Sequence, residues 1–433
     1  MRKGIVLNFL VSIFMMSSVA AQLSDIEQRM VEHIDKINDE GMQLLIESVN
    51  INSGTMNFDG IRETAEHMLP HFRELGFNAY FEDGAEWNRA GHLIAEHYGS
   101  EDAPKIMLIG HLDTVFEPDS PFQKFEMIND TTAKGPGIAD MKGGNIIMLQ
   151  ALRALKEVGA LEDMNIRIVI TGDEELSGRP LSLSKKALID AAKWADISLG
   201  FENGDGNPKT ANVSRRGAMG WTLTVTGTPA HSSQVFREDI GAGAIFEASR
   251  ILIAFYEELR SEEFLTFNPG RIIGGTTVTH DDGSSSGTTF GKTNVVAETA
   301  IVAGDLRALS PEQEERVKNK MREIVNRNLP QTSAVIVFDE GYPPMAPTDG
   351  NRELLSIYSA VSQDLGYGEV VAVNPLRAGA ADVSFTATYV DMAIDALGMS
   401  GTDGHTVNEL GYINQFPRQA KRAAILLYRL SLN

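Results

Sequence analysis

The sequence predicts an α/β fold, a central sheet flanked by helices, that is interrupted by an inserted α+β domain. Three short apolar runs end in glycine or beside acidic residues, as buried strands of a parallel sheet do: 105–110, 165–171 and 197–201. From residue 215 to 339, strands and amphipathic helices follow a β-α-β-β-α-β-like order. A chain of 433 residues also exceeds what one core usually supports. We therefore expect one domain built from 22–214 and 340–433, with a second domain at 215–339 between its halves.

The N-terminus has the pattern of a secretory signal peptide at residues 1–21. Arg2 and Lys3 form a basic start, and an apolar stretch at 5–16 precedes small residues at 17–21. The apolar stretch is short for a bilayer span, which favours cleavage after Ala20 or Ala21 over an N-terminal membrane anchor. We expect an exported protein, periplasmic or secreted, without a membrane span after cleavage.

Composition narrows the classes of partner. The formal net charge of −21 argues against nucleic acid and against anionic membrane surfaces. A bound metal or a local cluster of cations can still attract an anionic substrate. The chain has no cysteine, so any transition-metal site must use His, Asp and Glu.

The first half of the chain alternates helices and strands. Ser24 is positioned to cap the first helix. The predicted elements are a helix at 23–47, a break at 52–54, a helix at 61–75, strands at 78–81 and 92–97, the central strand to His111, an irregular stretch at 116–134 and a helix at 145–158.

Polar residues recur where the buried strands end, which is where open α/β sheets bind ligands. They are His111 and Asp113, then Glu174 and Glu175, then Glu202, with Asp140 at the mouth of a helix. His111 and Asp113 form either a metal ligand with its orienting carboxylate or a simple strand-end cap. The acids after residue 171 form either a solvated loop or a cation site. Their recurrence at successive strand ends favours a site.

The second half repeats the alternation. Ser310 with Pro311 marks a helix start. The predicted elements are strands at 221–226, 294–305 and 334–338, helices at 240–259 and from 310 to about 328, a helix from 351, short strands at 370–373 and 393–397, and a last helix at 415–430.

Six motifs follow one another along the chain: Gly-His111-Leu-Asp113-Thr-Val, Gly-Ile-Ala-Asp140-Met-Lys-Gly-Gly, Gly-Asp-Glu174-Glu175, Phe-Glu202, Gly-Thr-Pro-Ala-His231-Ser and Gly-His405-Thr-Val-Asn-Glu409. With them, nearly all of the mature chain resembles the co-catalytic two-zinc hydrolases, which include glutamate carboxypeptidase, peptidase T, succinyl-diaminopimelate desuccinylase and the aminoacylases. The resemblance implies a phosphorylase/hydrolase-like zinc peptidase domain with a mixed central sheet, and a ferredoxin-like inserted domain that serves as lid or dimerisation domain.

The resemblance also implies two Zn²⁺ per chain, with Co²⁺ or Mn²⁺ as substitutes. Asp140 would bridge the two metals. His111 and Glu202 would complete one site, and Glu175 and His405 the other. The residue chemistry agrees, because zinc without cysteine needs His nitrogen and carboxylate oxygen.

The remaining roles are carried over in the same way. Glu174 would be the general base that acts on a metal-bound water, and Asp113 would orient His111. In the inserted domain, His231 would donate to the substrate carbonyl, often from a dimer partner, so a homodimer through this domain is expected. Asn294 and Arg307 would hold the free carboxylate of a small peptide or N-acyl amino acid.

Two departures bear on the substrate. Family exopeptidases often carry an arginine just before the proline that follows the lid, and here that residue is Tyr342. The usual Gly-Gly-Thr-Asp is Gly379-Ala-Ala-Asp382, with Arg377 nearby. The leading interpretation is a carboxypeptidase-like exopeptidase. The alternatives are an N-acyl-amino-acid deacylase and a non-catalytic binding homologue.

Overall fold

The structure is a computed structural model and describes residues 23–281 and 283–432. The predicted signal peptide at 1–21 lies outside the described residues. Among the helices of the described ranges, none combines the length and the apolar character needed to cross a membrane.

Helices occur throughout the described chain and begin at recognisable caps. Ser24 caps α1 through a reciprocal capping box with Glu27, and Ser310 caps α7 with Pro311 at its first position. The helices are α1 Asp25–Asn50, α2 Phe58–Glu74, α3 Gly143–Glu157, α4 Leu181–Ser184, α5 Lys186–Trp194, α6 Ala244–Leu259, α7 Pro311–Val325, α8 Asp349–Asp364 and α9 Phe416–Ser431.

The strands are β1 Asn78–Asp83, β2 Gly91–His97, β3 Lys105–His111, β4 Glu126–Asn129, β5 Thr132–Lys134, β6 Asn165–Thr171, β7 Ile197–Gly200, β8 Thr210–Ala211, β9 Met219–Gly227, β10 Thr266–Gly275, β11 Thr277–Asp281, β12 Ser286–Phe290, β13 Thr299–Arg307, β14 Thr332–Phe338, β15 Val371–Ala372, β16 Met392–Ile394, β17 Gly401–Thr402 and β18 Leu410–Gly411.

The central sheet is six-stranded and mixed, in the order β1-β2-β6-β3-β7-β16. β3 is parallel to both β6 and β7, whereas β1 and β2 run antiparallel to their neighbours. Alternate residues of β3 pack into different clusters: Ile106 and Leu108 face α1, α3 and α9, and Met107 and Ile109 face α5. Burial on both faces explains why this strand is apolar throughout.

A second hydrophobic cluster lies between residues 219 and 338. Its four-stranded antiparallel sheet has the order β10-β13-β9-β14. α6 and α7 pack on one face through residues that include Ala248, Ile251 and Met321. A hairpin of β11 and β12 is added to the predicted order. The predicted boundaries of the inserted domain, 215 and 339, remain a prediction.

Several element predictions were wrong in detail. The stretch 116–134, predicted to be irregular, contains β4 and β5, which form a small sheet with the order β17-β18-β5-β4. The helix predicted from 240 begins at Ala244 after Gly243, whose φ of +79° ends the preceding loop. The strand predicted at 294–305 is β13, and three strands at 266–290 were not predicted.

Candidate active site

Five of the predicted site residues form two groups that share one carboxylate. His111, Asp140 and Glu202 make the first group, and Asp140, Glu175 and His405 make the second. Within each group, the candidate ligand atoms lie within 4.8 Å of one another. His111 Nε2 is 3.1 Å from Asp140 Oδ1, and His405 Nε2 is 3.2 Å from Asp140 Oδ2. Each oxygen of Asp140 therefore faces a different group.

The sheet brings these residues together because its parallel strands end at one edge. His111 ends β3, Glu175 lies in the loop after β6 and Glu202 follows β7. Glu202 Oε1 is 3.3 Å from His111 Nε2, and Glu175 Oε2 is 3.1 Å from His405 Nε2. The pairing of β3 with β6 and β7 thus fixes three of the five residues relative to one another.

Asp140 is held by a loop that approaches these strands closely. A Cβ at Gly144 would lie 2.0 Å from the main-chain oxygen of Phe201, so the start of α3 can sit this close only with glycine. Glu409 is buried and accepts hydrogen bonds from the amides of Gly137, Ala139 and Asp140, at 2.9, 2.9 and 3.2 Å. Glu409 therefore shapes the loop that presents Asp140.

The carboxylate of Asp113 contacts the acidic loop more closely than it contacts the imidazole of His111. Its carboxylate accepts from the hydroxyl of Thr55 at 2.6 Å and from the amides of Glu174 and Glu175 at 3.0 and 3.1 Å. His111 Nδ1 is 3.0 Å from the main-chain oxygen of Asp113 and 3.4 Å from its carboxylate. Asp113 thus fixes the position of Glu174 and Glu175 as well as the direction of the His111 ring.

Glu174 stands beside the two groups without belonging to either. Burial raises the pKa of its carboxyl well above the ordinary value, and the negative charges of Asp382 and Glu202 add to this effect. A carboxyl of raised pKa near a bound water is what general acid–base catalysis at neutral pH requires. Glu175, its neighbour, points instead to His405.

The charges in the two groups are strongly coupled. Burial opposes ionisation of Asp140, but hydrogen bonds from His111 and His405 hold its pKa far below the ordinary value. Burial and the charge of Asp140 raise the pKa of Glu202 to about 7. Hydrogen bonds to Asp140 and Glu175 raise the pKa of His405 to about 11. Carboxylates and imidazoles this close are stabilised by cations or by one another's charge.

The donor set fits a pair of transition metals. Each group offers one imidazole nitrogen and carboxylate oxygens from two acids, which are the ligands that zinc, cobalt and manganese accept in the absence of thiolate. One shared carboxylate between two three-residue groups is the arrangement expected of a two-metal site.

Of the three predicted substrate-binding residues, two lie together within one chain and the third lies apart from them. His231 is bridged to Val295, and the main-chain oxygen of Asn294 accepts from the amide of Ser232, so His231 and Asn294 are neighbours. Arg307 lies at the other end of β13, and eight residues of strand span roughly 26 Å. Its guanidinium pairs with Asp305 at 3.0 Å. No small substrate could contact His231 and Arg307 of the same chain.

Tyr342 and Arg377 have other partners than substrate in this structure. The Tyr342 hydroxyl is 2.9 Å from the main-chain oxygen of Glu174, and Arg377 pairs with Asp205 at 3.2 Å. Asp382 forms an ion pair with the buried Lys185 at 3.0 Å. Tyr342 therefore contacts the main chain of Glu174, the candidate base.

Three residues that hold the site in place have no role predicted from the sequence. These are Thr55, Glu409 and Asp395, whose carboxylate accepts from the amide of Glu202 at 3.2 Å. A signal was present for Glu409, which stands four residues after His405 in a quoted motif. Nothing local distinguishes Thr55, since its partner lies 58 residues away.

A family model described as Peptidase family M20/M25/M40 matches residues 107–429. The chain belongs to this family. The resemblance predicted from the six motifs, the fold class and the assignment as a metal-dependent hydrolase are thereby confirmed.

Individual M20 relatives give the range of similarity. Carboxypeptidase G2 of Pseudomonas sp. (strain RS-16) is 24% identical over 389 residues, covering 88% of this chain and 87% of the relative. A probable succinyl-diaminopimelate desuccinylase of Staphylococcus epidermidis is 32% identical over 175 residues, 40% of each chain. The crystal structure of aminopeptidase PepT from Bacillus cereus superposes with a TM-score of 0.68 at 19% identity, covering 91% of this chain and 98% of that one. The last comparison bears on the fold alone.

Proposed function

We propose that this M20 hydrolase is an exported, zinc-dependent exopeptidase of the carboxypeptidase type, which cleaves a peptide or N-acyl-amino-acid bond next to a free carboxylate. The observation that carries the proposal is the pair of ligand groups sharing Asp140, with the unshared carboxyl of Glu174 beside them. The relative named carboxypeptidase G2, matched over most of both chains, supports the same class of reaction.

In this proposal five residues would hold the metals: His111 and Glu202 would bind one ion, Glu175 and His405 the other, and Asp140 both. When bound, the ions supply Lewis acidity, which polarises a carbonyl and lowers the pKa of water. Zinc is favoured because a cysteine-free His and carboxylate set suits it, and cobalt or manganese could replace it in the same ligands.

Glu174 takes a proton from the attacking water and delivers it to the leaving nitrogen. Its raised pKa suits both steps, since the carboxylate must accept a proton and then release it near neutral pH. Asp113 supports this role by holding the Glu174 amide at 3.0 Å. A dipeptide and N-acyl-amino-acid screen, with metal content measured on the same sample, tests the proposal: hydrolysis that is lost on chelation and restored by zinc supports it. Two bound zincs with no hydrolysis of any member would leave a binding protein.

Arg307 is proposed to hold the free carboxylate, because a guanidinium offers two parallel donors to a carboxylate. It would exchange Asp305 for the substrate, at the end of β13 that adjoins the catalytic domain: the neighbouring Ala308 oxygen accepts from Gly217. We predict that Arg307→Met leaves two zincs bound and lowers kcat/KM about 10- to 100-fold for substrates with a free α-carboxylate. The measurement compares each substrate with its α-carboxamide, whose already slow hydrolysis should change little.

The same substitution at Arg316, which pairs with Glu262 on the surface, is the matched control and should leave both rates unchanged. Equal losses for the free acid and the amide would assign Arg307 a structural role. The carboxylate partner would then be sought at Arg377.

A deacylase that acts on N-acyl amino acids is the second candidate. The specific observation in its favour is Tyr342, which stands where family exopeptidases carry an arginine and whose hydroxyl contacts Glu174 rather than the open site. Both candidates need a free carboxylate on the product amino acid. The screen separates them by the acyl side: a preference for aminoacyl groups marks the peptidase, and a preference for simple acyl groups marks the deacylase.

A homodimer through the inserted domain is part of the proposal. His231 and Asn294 lie roughly 26 Å of strand from Arg307, so they can reach a substrate only in a partner's site. α6 presents Phe246, Ile253 and Tyr256 to solvent, each more than half exposed. Phe246 and Ile253 line a groove of about 830 Å³ together with Phe236 and Pro330. An apolar surface of this kind is typical of an interface between subunits.

Mixing two inactive variants tests whether His231 acts in the partner's site. We predict that His231→Ala and Glu174→Gln chains, each nearly inactive alone, regain about a quarter of the wild-type activity when dissociated together and reassembled at equal amounts. Only the mixed dimer has one site with both an intact Glu174 and a partner's intact His231. Absence of recovery, with mixed dimers demonstrated by differential tags, would place His231 in its own chain's site or outside catalysis.

Export rests on the sequence of residues 1–21. It is tested by expressing the full chain with a C-terminal tag and determining the mature N-terminus of the exported fraction. A mature protein that begins at Ala21 or Gln22 supports export. An uncleaved chain that still begins at Met1 and stays in the cytoplasm contradicts it.

A further inference from the structure

The inserted domain is joined to the rest of the chain by two short segments that pair with each other. We call residues 215–218 and 342–345 the hinge ribbon. Arg215 and Met345 exchange main-chain hydrogen bonds at 3.0 and 2.9 Å, and Ala218 and Tyr342 do so at 3.0 and 2.9 Å. Pro343 and Pro344 fix φ at two successive positions of the second segment. The ribbon is therefore a paired, stiff connection.

Tyr342 extends from this ribbon to the loop that carries the candidate base. Its hydroxyl is 2.9 Å from the main-chain oxygen of Glu174, 2.9 Å from Ser177 Oγ and 3.3 Å from Asp382 Oδ1. A phenol has one proton, and the Glu174 carbonyl, which can only accept, is the nearer of the two acceptors that lack a proton. The Tyr342 ring packs edge-on against Phe385 at 4.8 Å.

A buried ion-pair network lies next to the hydrogen bond between Tyr342 and Glu174. Lys185 is fully buried, and its Nζ lies 3.1 Å from Asp173 Oδ1 and 3.0 Å from Asp382 Oδ1. Asp173 directly precedes Glu174, and its carboxylate also accepts from the Ser184 hydroxyl at 2.7 Å. Asp173, the residue before Glu174, is thus fixed in place. The loop therefore cannot readily move to find another donor for the Glu174 carbonyl when the Tyr342 hydroxyl is removed.

The phenol is kept in its donor form by the same surroundings. Burial raises the pKa of Tyr342 well above its ordinary value, and the charges of Asp382 and Glu174 act in the same direction. The hydroxyl is therefore protonated, and able to donate, at neutral pH.

We propose that Tyr342 is a positioning residue, whose hydrogen bond connects the hinge ribbon to the main chain of Glu174. The direction of the base carboxyl then depends on how the inserted domain is placed against the catalytic domain. The inference rests on the proposed role of Glu174 as general base. A general base must lie within hydrogen-bond reach of the proton that it abstracts, so a small rotation of its main chain lowers turnover. Substrate binding, which depends on other residues, is left intact.

The other segment of the ribbon provides an independent parallel. Arg215 donates from Nε to Asp395 Oδ2 at 2.7 Å, and the other oxygen of Asp395 accepts from the Glu202 amide at 3.2 Å. Each segment of the hinge ribbon is therefore connected to the main chain of a site residue: Tyr342 contacts Glu174 directly, and Arg215 reaches Glu202 through Asp395.

The test removes one hydroxyl. Tyr342→Phe keeps the ring and its packing against Phe385, and we expect kcat to fall about 3- to 20-fold, the factor that one lost hydrogen bond accounts for, with KM nearly unchanged. Two zincs should stay bound. Tyr358→Phe is the matched control, because Tyr358 is also buried and its hydroxyl contacts Gln419, at 3.4 Å, and Arg422 rather than Glu174.

A double-mutant cycle separates positioning from general damage. If Tyr342 acts through Glu174, Tyr342→Phe should lower kcat in the wild-type background and have no further effect on Glu174→Gln. An equal loss in both backgrounds, or an unchanged kcat in the single variant, overturns the proposal.

Amide hydrogen exchange on the metal-free protein gives a readout other than activity. Peptides that cover 173–178 should exchange faster in Tyr342→Phe and at the wild-type rate in Tyr358→Phe. If the wild-type chain hydrolyses nothing, the proposed function fails, and the exchange measurement still decides whether Tyr342 holds this loop. Unchanged exchange at 173–178 would show that the Tyr342 hydroxyl does not hold this loop, and would overturn the proposal.

Discussion

Glu174→Gln is expected to lower kcat by about 10²–10⁴-fold while two metals remain bound. Glutamine keeps the size and polarity of the side chain but cannot accept a proton at neutral pH. Glu174 belongs to neither ligand group, so its loss leaves all candidate ligands in place. Initial rates over a range of substrate concentrations, with zinc measured on the same preparations, test the prediction, and KM should change little.

The adjacent residue supplies the matched control. Glu175→Gln makes the same chemical change one residue further along, but Glu175 Oε2 lies 3.1 Å from His405 Nε2 within a ligand group. This variant should bind one metal less tightly. Near-normal turnover of a metal-replete Glu174→Gln enzyme would show that another group takes the proton. Loss of metal in Glu174→Gln would make Glu174 a ligand instead.

The sequence was informative wherever burial imposes a pattern. The apolar runs of β3, β6 and β7 are continuous because both faces of the central sheet are covered, and their ends mark the edge where His111, Glu175 and Glu202 meet. Ser24 and Ser310 marked helix starts because a cap is a local interaction. These elements depend on neighbours within a few residues, which a single sequence displays.

Exposed strands left no such pattern. β12 is exposed along its whole length and contains Gly, Ser and Thr, so residues 286–290 lack an apolar face that alternation could reveal. β4 is likewise exposed, and its pairing with β5 arises from a turn rather than from a buried face. Strands of this kind form because the rest of the fold places their partners beside them.

The site divides in the same way. His405 lies in an exposed loop between β17 and β18, so no periodicity identifies it and only the motif resemblance could. The contact of Tyr342 with Glu174 spans 168 residues and depends on how the two connections of the inserted domain pair. Arg307 and Asp305 are two residues apart on a strand, so their side chains lie on the same side and form the ion pair that the structure shows.

Asp140→Ala is expected to remove both metals together, which distinguishes a bridging ligand from the other four. Asp140 Oδ1 faces His111 and its Oδ2 faces His405, so one substitution takes an oxygen from each group. The remaining pairs, His111 with Glu202 and Glu175 with His405, each keep two protein ligands where three were present. Zinc sites in proteins normally keep three or four, so activity should fall to background at ordinary zinc concentrations.

Metal content after dialysis against a mild chelator measures the effect against two comparisons. His405→Ala takes a ligand from one group only, so it should lose about one metal per chain and retain the other. Asp403→Asn removes an exposed carboxylate two residues from His405 and should retain both metals, which controls for loss of negative charge near the site. If Asp140→Ala still binds two zinc ions, Asp140 is not the bridging ligand. If the variant loses only one zinc ion, Asp140 is a ligand of that ion alone. Joint loss of both metals in Asp140→Ala, with stepwise loss in His405→Ala, is the pattern that only a shared carboxylate produces.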